Sequence, residues 1–493
     1  MNILLVSPRY PDTYWSFRYA LKFISKKASN PPLGLLTISS MLPAGWNRKL
    51  VDLNVRGLRD ADILWADFVF IGAMSVQAES AHEVIRRCKE LKTKIVAGGP
   101  LFTGDPEPYM HLNHLILNEA EITFPQFLAD LETNSPKKIY RTSGFADMKQ
   151  SPPPDYSLIR ASDYAQLSIQ YSRGCPHNCE FCEITALLGH RVRVKSADQI
   201  LQELTHIYQT GFRGNVFFVD DNFIGNRHLL KQSLLPGIAR WNRERRHPFA
   251  FTTEASIDLA GDKELMKQMV EAGFQKVFVG IETPEEESLK ECHKALNIKY
   301  KLMESVQVIH AAGIEVSAGF IVGFDNDSTS IFQRQIDFIQ QSGIITAMVG
   351  LLNAPNRTLL YQRLKKEGRI LKNSGGDNTD YSMNFIPKMN REVLLQGYQH
   401  ILNGIYSSKA FYVRLKNFLS KFDPGATIHV RFNREKILAL LRSMLYIGVL
   451  SKGRIYYWKL FWWSLLKRPK MFPMAITYSI YGYHFRKVYR IGS

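Results

Sequence analysis

Cys175, Cys179 and Cys182 lie in the stretch Tyr-Ser-Arg-Gly-Cys-Pro-His-Asn-Cys-Glu-Phe-Cys, a C-x3-C-x2-C spacing. Three thiolates so placed can hold three irons of a [4Fe–4S] cluster and leave the fourth iron without a protein ligand. At an open iron a small molecule can bind and be reduced by one electron. Structural zinc is the alternative metal, but it needs four closed ligands, usually from two paired short spacings. The other cysteines, Cys88 and Cys292, stand alone in helix-like sequence. Three cysteines inside eight residues cannot all pair as disulfides. The spacing therefore favours a cluster.

The elements that must position this loop are legible around it. Residues 1–130 alternate short apolar strands, Ile3–Val6, Lys49–Leu53, Phe68–Gly72, Ile95–Gly98 and Leu115–Leu117, with helical periodicity over Leu33–Leu42, Ser80–Leu91 and Phe124–Leu131. That order predicts a doubly wound, flavodoxin-like parallel sheet, which binds ligands beyond the carboxyl ends of its strands. The loops there are 8–32, 73–78 and 98–105, and Gly98-Gly99 suits close approach of backbone to a large flat ligand. No G-x-G-x-x-G follows the first strand, which argues against a dinucleotide. Residues 136–165, with Ser-Pro-Pro-Pro-Asp-Tyr, read as a stiff linker.

From 166 to 375, strand then helix recurs about six times, with strands at Leu167–Tyr171, Asn215–Val219, Ala250–Thr253, Lys276–Ile281, Glu315–Val322 and Ala347–Leu351. Six such units make a partial (β/α)6 barrel whose chemistry lies at the C-terminal strand ends. Asp220, Asp221 and Asn222 end its second strand, Glu254 its third and Glu282 its fourth. Carboxylates and an amide suit an ammonium group, while a lone carboxylate at a strand end is also an ordinary solvated cap. Arg191, Arg193 and Lys195 either offset the charge of a cluster, hold a cofactor carboxylate or form a solvated strand edge, and stay outside the expected site.

The chain has 493 residues, enough for about three domains, and 45% hydrophobic residues, enough for several cores. Five cysteines fit a reducing compartment rather than a disulfide framework. The first residues lack the pattern of a signal peptide, and no run reaches the ~18 apolar residues of a membrane span, so a cytoplasmic protein is expected. The formal charge of +18 is concentrated after Ile401, where 17 Lys and Arg face only Asp423 and Glu435, a net +15. A basic module implies an anionic partner. Its Trp458, Trp462 and Trp463, with Tyr481, Tyr483 and Tyr489, alternate with cations. Such sequence fits a membrane interface, a nucleic-acid surface, or a buried aromatic helix, and all three readings stay open.

The cysteine stretch, with Phe181 before its third cysteine, resembles the radical S-adenosylmethionine (radical SAM) superfamily. In that family the open iron binds the amino and carboxylate groups of S-adenosylmethionine, and reductive cleavage yields a 5′-deoxyadenosyl radical. The N-terminal region resembles the cobalamin-binding, Rossmann-like domain that precedes the barrel in one large subfamily, through Pro-Pro-Leu-Gly-Leu at 31–35, Gly-Ala-Met-Ser at 72–75, Gly98-Gly99 and Asn-Glu-Ala-Glu at 118–121. The D-x-H-x-x-G motif that supplies a cobalt ligand elsewhere is missing, and no histidine precedes His82. The resemblance implies cobalamin without a histidine ligand, near Ser75, Gly98, Gly99, Glu119 and Glu121. It also implies S-adenosylmethionine near Asp220, Asp221, Asn222, Glu254 and Glu282, with Gly319 and Gly323 of Gly-Phe-Ile-Val-Gly-Phe-Asp supporting the adenine. The usual Gly-Gly-Glu form of the 220–222 segment is not present, which leaves its individual roles open.

As a whole the chain resembles cobalamin-dependent radical SAM enzymes with a C-terminal domain of the hopanoid C-2 methylase type. That implies a cobalamin-binding domain over 1–135, a linker over 136–165, a barrel over 166–375 and a mostly α-helical C-terminal domain over 376–493. It further implies methyl transfer from methylcobalamin to an unactivated carbon of a small hydrophobic, lipid-like substrate, a reducing partner such as flavodoxin or ferredoxin, and a possible site of action at a membrane surface. Cyclisation or rearrangement without methyl transfer is the alternative. Nucleic-acid modification is a weaker one, because no second cysteine trio exists for an auxiliary cluster.

Overall fold

In the computed structural model, which describes residues 1–377, 379–424 and 434–491, the apolar segments of the first third form one parallel sheet. Its strands are β1 (Asn2–Ser7), β2 (Asn47–Asp52), β3 (Phe68–Gly72), β4 (Lys94–Gly98), β5 (His114–Ile116) and β6 (Ile139–Tyr140), in the order β2-β1-β3-β4-β5-β6. Ile3 to Val6 of β1 are fully buried, which is why that strand reads as an unbroken apolar run; helices cover both faces. The strand order reverses between β1 and β3, so the loops after them diverge and open a crevice.

β6 comes from the segment read as a linker. It pairs with Leu115 and Ile116 of β5, so the first sheet extends past residue 135. The prolines that follow are docked rather than free: the Ser40 hydroxyl donates to the Pro153 carbonyl at 2.7 Å, and the Tyr156 hydroxyl donates to the Ser168 carbonyl at 2.6 Å.

The second sheet contains β7 (Gln166–Ile169), β10 (Gly214–Phe218), β11 (Phe249–Glu254), β12 (Phe274–Glu282), β13 (Glu315–Val322) and β14 (Ala347–Leu351), all parallel and in that order. The short strands β8 (Ser172–Arg173) and β9 (Arg193–Val194) form a separate antiparallel ribbon. β7 and β14 are the free edges, as a partial barrel requires. Period-two alternation divides each barrel strand. Ile169, Val216, Phe251, Val279, Val316 and Val349 are buried, whereas Asn215, Thr252, Glu254, Lys276, Ser317 and Met348 line an interior cavity. The barrel is therefore hollow where a closed barrel of this type would be filled by bulky side chains.

Among the described residues, five α-helices, Arg391–Tyr406, Ser408–Lys421, Arg434–Tyr446, Arg454–Lys467 and Phe472–Val488, dominate the last region. The last of them closes on the barrel: the Tyr478 hydroxyl donates to Glu315, whose carboxylate also holds Lys276 at 3.1 Å. It also meets the N-terminal region, where Phe485 stacks on Tyr14 at 4.5 Å. No helix among the described residues is long and apolar enough to cross a membrane.

The aromatic sequence of this region is mostly core. Tyr457, Phe461, Tyr478 and Phe485 are buried. The Trp458 indole N–H donates to the Gly448 carbonyl at 2.9 Å, and Trp463 lies under the Lys416 ammonium. Of the three tryptophans expected at a surface, Trp462 is the exposed one. An aromatic stripe at helical spacing packs against the next helix before it meets anything else.

Candidate active site

The cysteine loop is strung between the paired strands β8 and β9. Gly174 has a φ of +93°, and a Cβ there would stand 2.6 Å from the Arg191 carbonyl, so only glycine makes this turn. The Cys175 N–H donates to the Gly189 carbonyl at 3.2 Å and the Cys182 N–H to the Cys179 carbonyl at 3.1 Å. Outside the loop, the Glu180 N–H donates to the Cys292 carbonyl at 3.0 Å, and Arg363 grips the Glu180 carboxylate with two bonds of 2.7 and 3.0 Å. Phe181 packs on Phe324, which ties the cysteine loop to the 319–325 segment.

All three thiols are free and partly buried. Burial pushes each upward, Cys182 to about 12. Desolvated thiols sharing one loop, with Cys179 raising both of the others, suit a positively charged metal group. Among the described residues, no three His, Cys, Asp or Glu converge closely enough for a single metal ion. A mononuclear zinc site requires that convergence, whereas a cubane cluster spreads its three thiolates over separate irons. Three thiols on one loop are the donor set that three protein-held irons of such a cluster require. Cys88 and Cys292 are buried, and the Cys292 thiol meets the Leu289 carbonyl of its own helical turn.

Lys294 carried no signal in the sequence. It pairs with Glu282, and the pair occupies the place where a Cβ of Gly280 would be. Burial alone would lower the Lys294 pKa, but Glu282 and then Cys179 keep it charged. Glu282, at a φ of +64°, is held in a left-handed conformation unusual for its type. Its carboxylate therefore serves this pair beside the cysteine loop, which corrects the expectation that Glu282 is open to the cofactor.

The 220–222 segment divides. Asp220, 1% exposed, accepts from the Tyr171 N–H at 3.2 Å and from both the N–H and the hydroxyl of Ser172. It caps the turn from β7 into β8 and is not available to an ammonium group, so that part of the expectation is corrected. Asn222 is likewise buried and bonded to Ser256, at the wall of a small cavity shared with Pro176, His177 and Arg227. Asp221 accepts one bond, 3.3 Å from the Gly174 N–H, and burial lifts it to about 6. Glu254 is lifted to about 8 by burial and by the charges of Asp221 and Asp220. These two carboxyls, desolvated and close to one another, are the groups that an ammonium or a hydroxyl-bearing ligand would relieve.

The first domain's expected cofactor residues are placed differently from the reading given above. Glu119 pairs with Arg193 through bonds of 2.6 and 2.8 Å, and Glu121 with Arg173 through 2.8 and 2.9 Å. Burial would raise Glu121, but the Arg173 guanidinium holds it at about 2. Both glutamates thus join the first sheet to the two ends of the cysteine loop instead of facing a ligand. Arg193 and Lys195 are not at a solvated edge either, since Lys195 pairs with the buried Glu203 at 2.5 Å. At Gly98 and Gly99 a Cβ would meet the Ile116 carbonyl at 2.8 Å and the Ala73 carbonyl at 2.9 Å. Close packing of neighbouring backbone by itself requires glycine at both positions. Ser75 lies against Gly376 of the last region.

The barrel interior continues into a cavity of about 1670 Å³, which reaches the C-terminal edge of the first sheet at Ser7, Tyr10, Asp52 and Met74. Ordinary small-molecule pockets hold ~300–1,000 Å³, so there is room for a macrocycle and a substrate together. His247, at the far end, is the one histidine on its wall among the described residues. Trp15 reaches from the first domain into the barrel, its indole N–H donating to the Met348 sulfur at 3.1 Å and its ring meeting Phe278 edge-on. Phe278 occupies the space left by Gly319, where a Cβ would stand 3.1 Å from its ring. Gly323, at a φ of +107°, turns the chain toward Asp325, which Arg363 and Arg369 clamp.

Comparison with known proteins matches residues 24–128 to the B12 binding domain, 169–339 to the radical SAM superfamily and 358–492 to a domain of unknown function, DUF4070. The chain is 38% identical to an uncharacterized methyltransferase of Synechocystis sp. over 98% of its own length and 91% of the relative's. It is 33% identical to the hopanoid C-2 methylase of Rhodopseudomonas palustris over 93% of its length and 88% of that protein's. Among solved structures, the cobalamin-dependent S-adenosylmethionine radical enzyme OxsB, with aqua-cobalamin and S-adenosylmethionine bound, is similar with a TM-score of 0.64 at 17% identity, covering 99% of this chain and 80% of that one. The radical S-adenosylmethionine methyltransferase TsrM of Kitasatospora setae, with cobalamin and a [4Fe–4S] cluster bound, gives 0.62 at 13% identity, covering 92% and 97%.

Proposed function

The chain belongs to the cobalamin-dependent radical SAM enzymes, and from that premise we propose that it methylates an unactivated carbon of a hydrophobic, lipid-like substrate held in the barrel. Its cofactors are those of the family: a [4Fe–4S] cluster, S-adenosylmethionine and cobalamin. When bound, they supply a radical able to remove hydrogen from carbon and a methyl group to replace it.

The chain's own residues divide the remaining work. Cys175, Cys179 and Cys182 hold three irons, and Lys294 with Glu282 sets the charge beside them. Asp221 and Glu254 receive the ammonium or hydroxyl groups of S-adenosylmethionine at the strand ends. Leu21, Ile24, Leu440, Phe472, Ile476 and Ile480 give the end of the cavity away from the cysteine loop an apolar wall, which suits the hydrophobic part of such a substrate.

The observation that carries this reading is the continuity of the cavity from the edge of the first sheet into the hollow barrel. Methyl donor and substrate can share one chamber there without crossing solvent. The 33% identity to a hopanoid methylase supports the lipid-like class. Anaerobic reconstitution with iron, sulfide and cobalamin, followed by incubation with methyl-deuterated S-adenosylmethionine and a whole lipid extract, tests it. A lipid product carrying the labelled methyl is expected. Cleavage of S-adenosylmethionine with no label in any lipid would overturn it.

A further inference from the structure

Helices Arg434–Tyr446 and Arg454–Lys467 leave large apolar side chains in solvent: Ile437, Leu441 and Leu445 on the first, Ile455, Trp462 and Leu466 on the second, all between 50% and 73% exposed. Spacings of four and four, and of seven and four, put each trio on one face of its helix. The helices are neighbours, since the Ser443 and Tyr457 hydroxyls meet at 2.8 Å and Trp458 bonds the Gly448 carbonyl. Val449 and Leu450, in the turn between them, are exposed as well. Together these side chains form an apolar plate, the kind of exposed apolar grouping that marks an interaction surface.

Arg434, Lys452, Arg454, Lys459, Lys467 and Lys470 are exposed on the same helices and the segments next to them, and no carboxylate follows Glu435 anywhere in the chain. An apolar centre with a rim that is cationic apart from Glu435, which Lys26 pairs at 3.1 Å, complements an anionic bilayer, where acyl chains meet the plate and headgroups meet the rim. A second copy of the chain would bring like charges together, and a plate with Trp462 as its one large ring among aliphatic side chains offers successive nucleic-acid bases little to stack on. The first of the two helices also turns Ala439 and Leu440 to the barrel cavity, beside Phe472, Ile476, Leu21 and Ile24. The plate therefore borders the end of the cavity that lies away from the cysteine loop.

We propose that this plate docks on an anionic lipid surface, and that substrate passes from the bilayer along Arg434–Tyr446 into the N-terminal end of the barrel. Docking rests on the surface alone; the entry route rests on the lipid-substrate reading above. The reconstituted full chain is floated with vesicles of phosphatidylcholine alone or mixed with phosphatidylglycerol, across a range of salt. Flotation with the anionic vesicles is expected to fall with salt but to leave a resistant fraction, because screening weakens only the rim. Leu441→Asp, Leu445→Asp and Leu466→Asp, combined, should remove that fraction at least tenfold, with cluster absorption and circular dichroism unchanged. Lys452→Glu, Lys459→Glu and Lys467→Glu, combined, should remove the preference for phosphatidylglycerol.

Absence of flotation at low salt, or equal flotation by the Asp variant, would overturn docking. So would a dimer in vesicle-free buffer that the Asp variant converts to monomer, since a second copy then covers the plate. Flotation that persists while no lipid takes up labelled methyl leaves the surface standing and removes the entry route with the substrate reading.

Discussion

Glu254 stands at the end of β11 with a carboxyl lifted from its ordinary 4.5 to about 8. A folded pKa above the unfolded one means that the folded chain keeps a proton the unfolded chain gives up. Its stabilisation is full below about pH 4.5 and is lost as pH rises through about 8. Glu254→Gln is expected to be near neutral at about pH 5. At about pH 8 it should stabilise the cofactor-free protein by on the order of 1–2 kcal/mol, a figure that allows for screening by water in the cavity. Urea midpoints at the two pH values check this, and an equal shift at both would mean that desolvation of Glu254 is not the cause. The cysteines give a sharper outcome. Cys175→Ala, Cys179→Ala and Cys182→Ala should each abolish the broad visible absorption of a thiolate-ligated cluster and all cleavage of S-adenosylmethionine. Cys88→Ala and Cys292→Ala should retain both, because their thiols are buried in helical packing.

At the scale of elements, the N-terminus of helix Ala120–Glu132 is fastened to β8 and β9 by two buried ion pairs. Removing one partner strands a charge in the interface, which costs about 3–5 kcal/mol, whereas replacing both partners is far less harmful. Arg193→Met should therefore destabilise strongly and expose the 135–165 segment to protease. Adding Glu119→Gln to it should restore most of the loss, with the coupling read from a double-mutant cycle. The second pair adds a pH signature. Glu121, held at about 2, contributes fully above its unfolded value of 4.5 and loses that contribution as pH falls toward 2, so acid should loosen the first domain from the cysteine loop before the sheets melt. The sequence singled out Glu119 and Glu121 for a cofactor and Arg193 for its charge but not their pairing, since nothing local tells Glu119 of Arg193, 74 residues away.

The whole molecule is three regions arranged around one cavity. The first sheet supplies one end of it, the barrel its walls, and the last helices the far end. No histidine of the first domain lies on the wall among the described residues; His82 is engaged with the Tyr109 hydroxyl at 3.0 Å, and His114 with the Lys137 carbonyl at 2.7 Å. Cobalamin held there should have no histidine on cobalt. Electron paramagnetic resonance of the cob(II)alamin form is expected to show no nitrogen splitting from a lower ligand, and clear splitting would contradict the arrangement. The basic tail also changes meaning at this scale. Arg414 and Arg486 are buried against Phe411 and its neighbours, so fewer of the +15 charges reach solvent than the sequence suggests.

Local signals sufficed where a single periodicity or spacing carried the information. Strands β13 and β14 fall on the residues expected, the cysteine spacing reads directly as a cluster loop, and the strand order of both sheets follows from alternating apolar segments with helical connections. Each of these is set by interactions within a few residues of the chain, or by burial that every strand of its kind shares. Pairings across long separations were not legible. Asp220 looked like a ligand until its place beneath Tyr171 and Ser172 showed it capping backbone. Glu282 looked open until Lys294 met it, and nothing local showed that Gly98 packs on the Ile116 carbonyl. Of the three readings the aromatic tail left open, helix packing takes the buried one for most of its rings and leaves Trp462 and several aliphatic side chains outside. The desolvation energy that makes a polar group functional or structural depends on which distant partner reaches it, and that is decided only when the three regions close around their shared cavity.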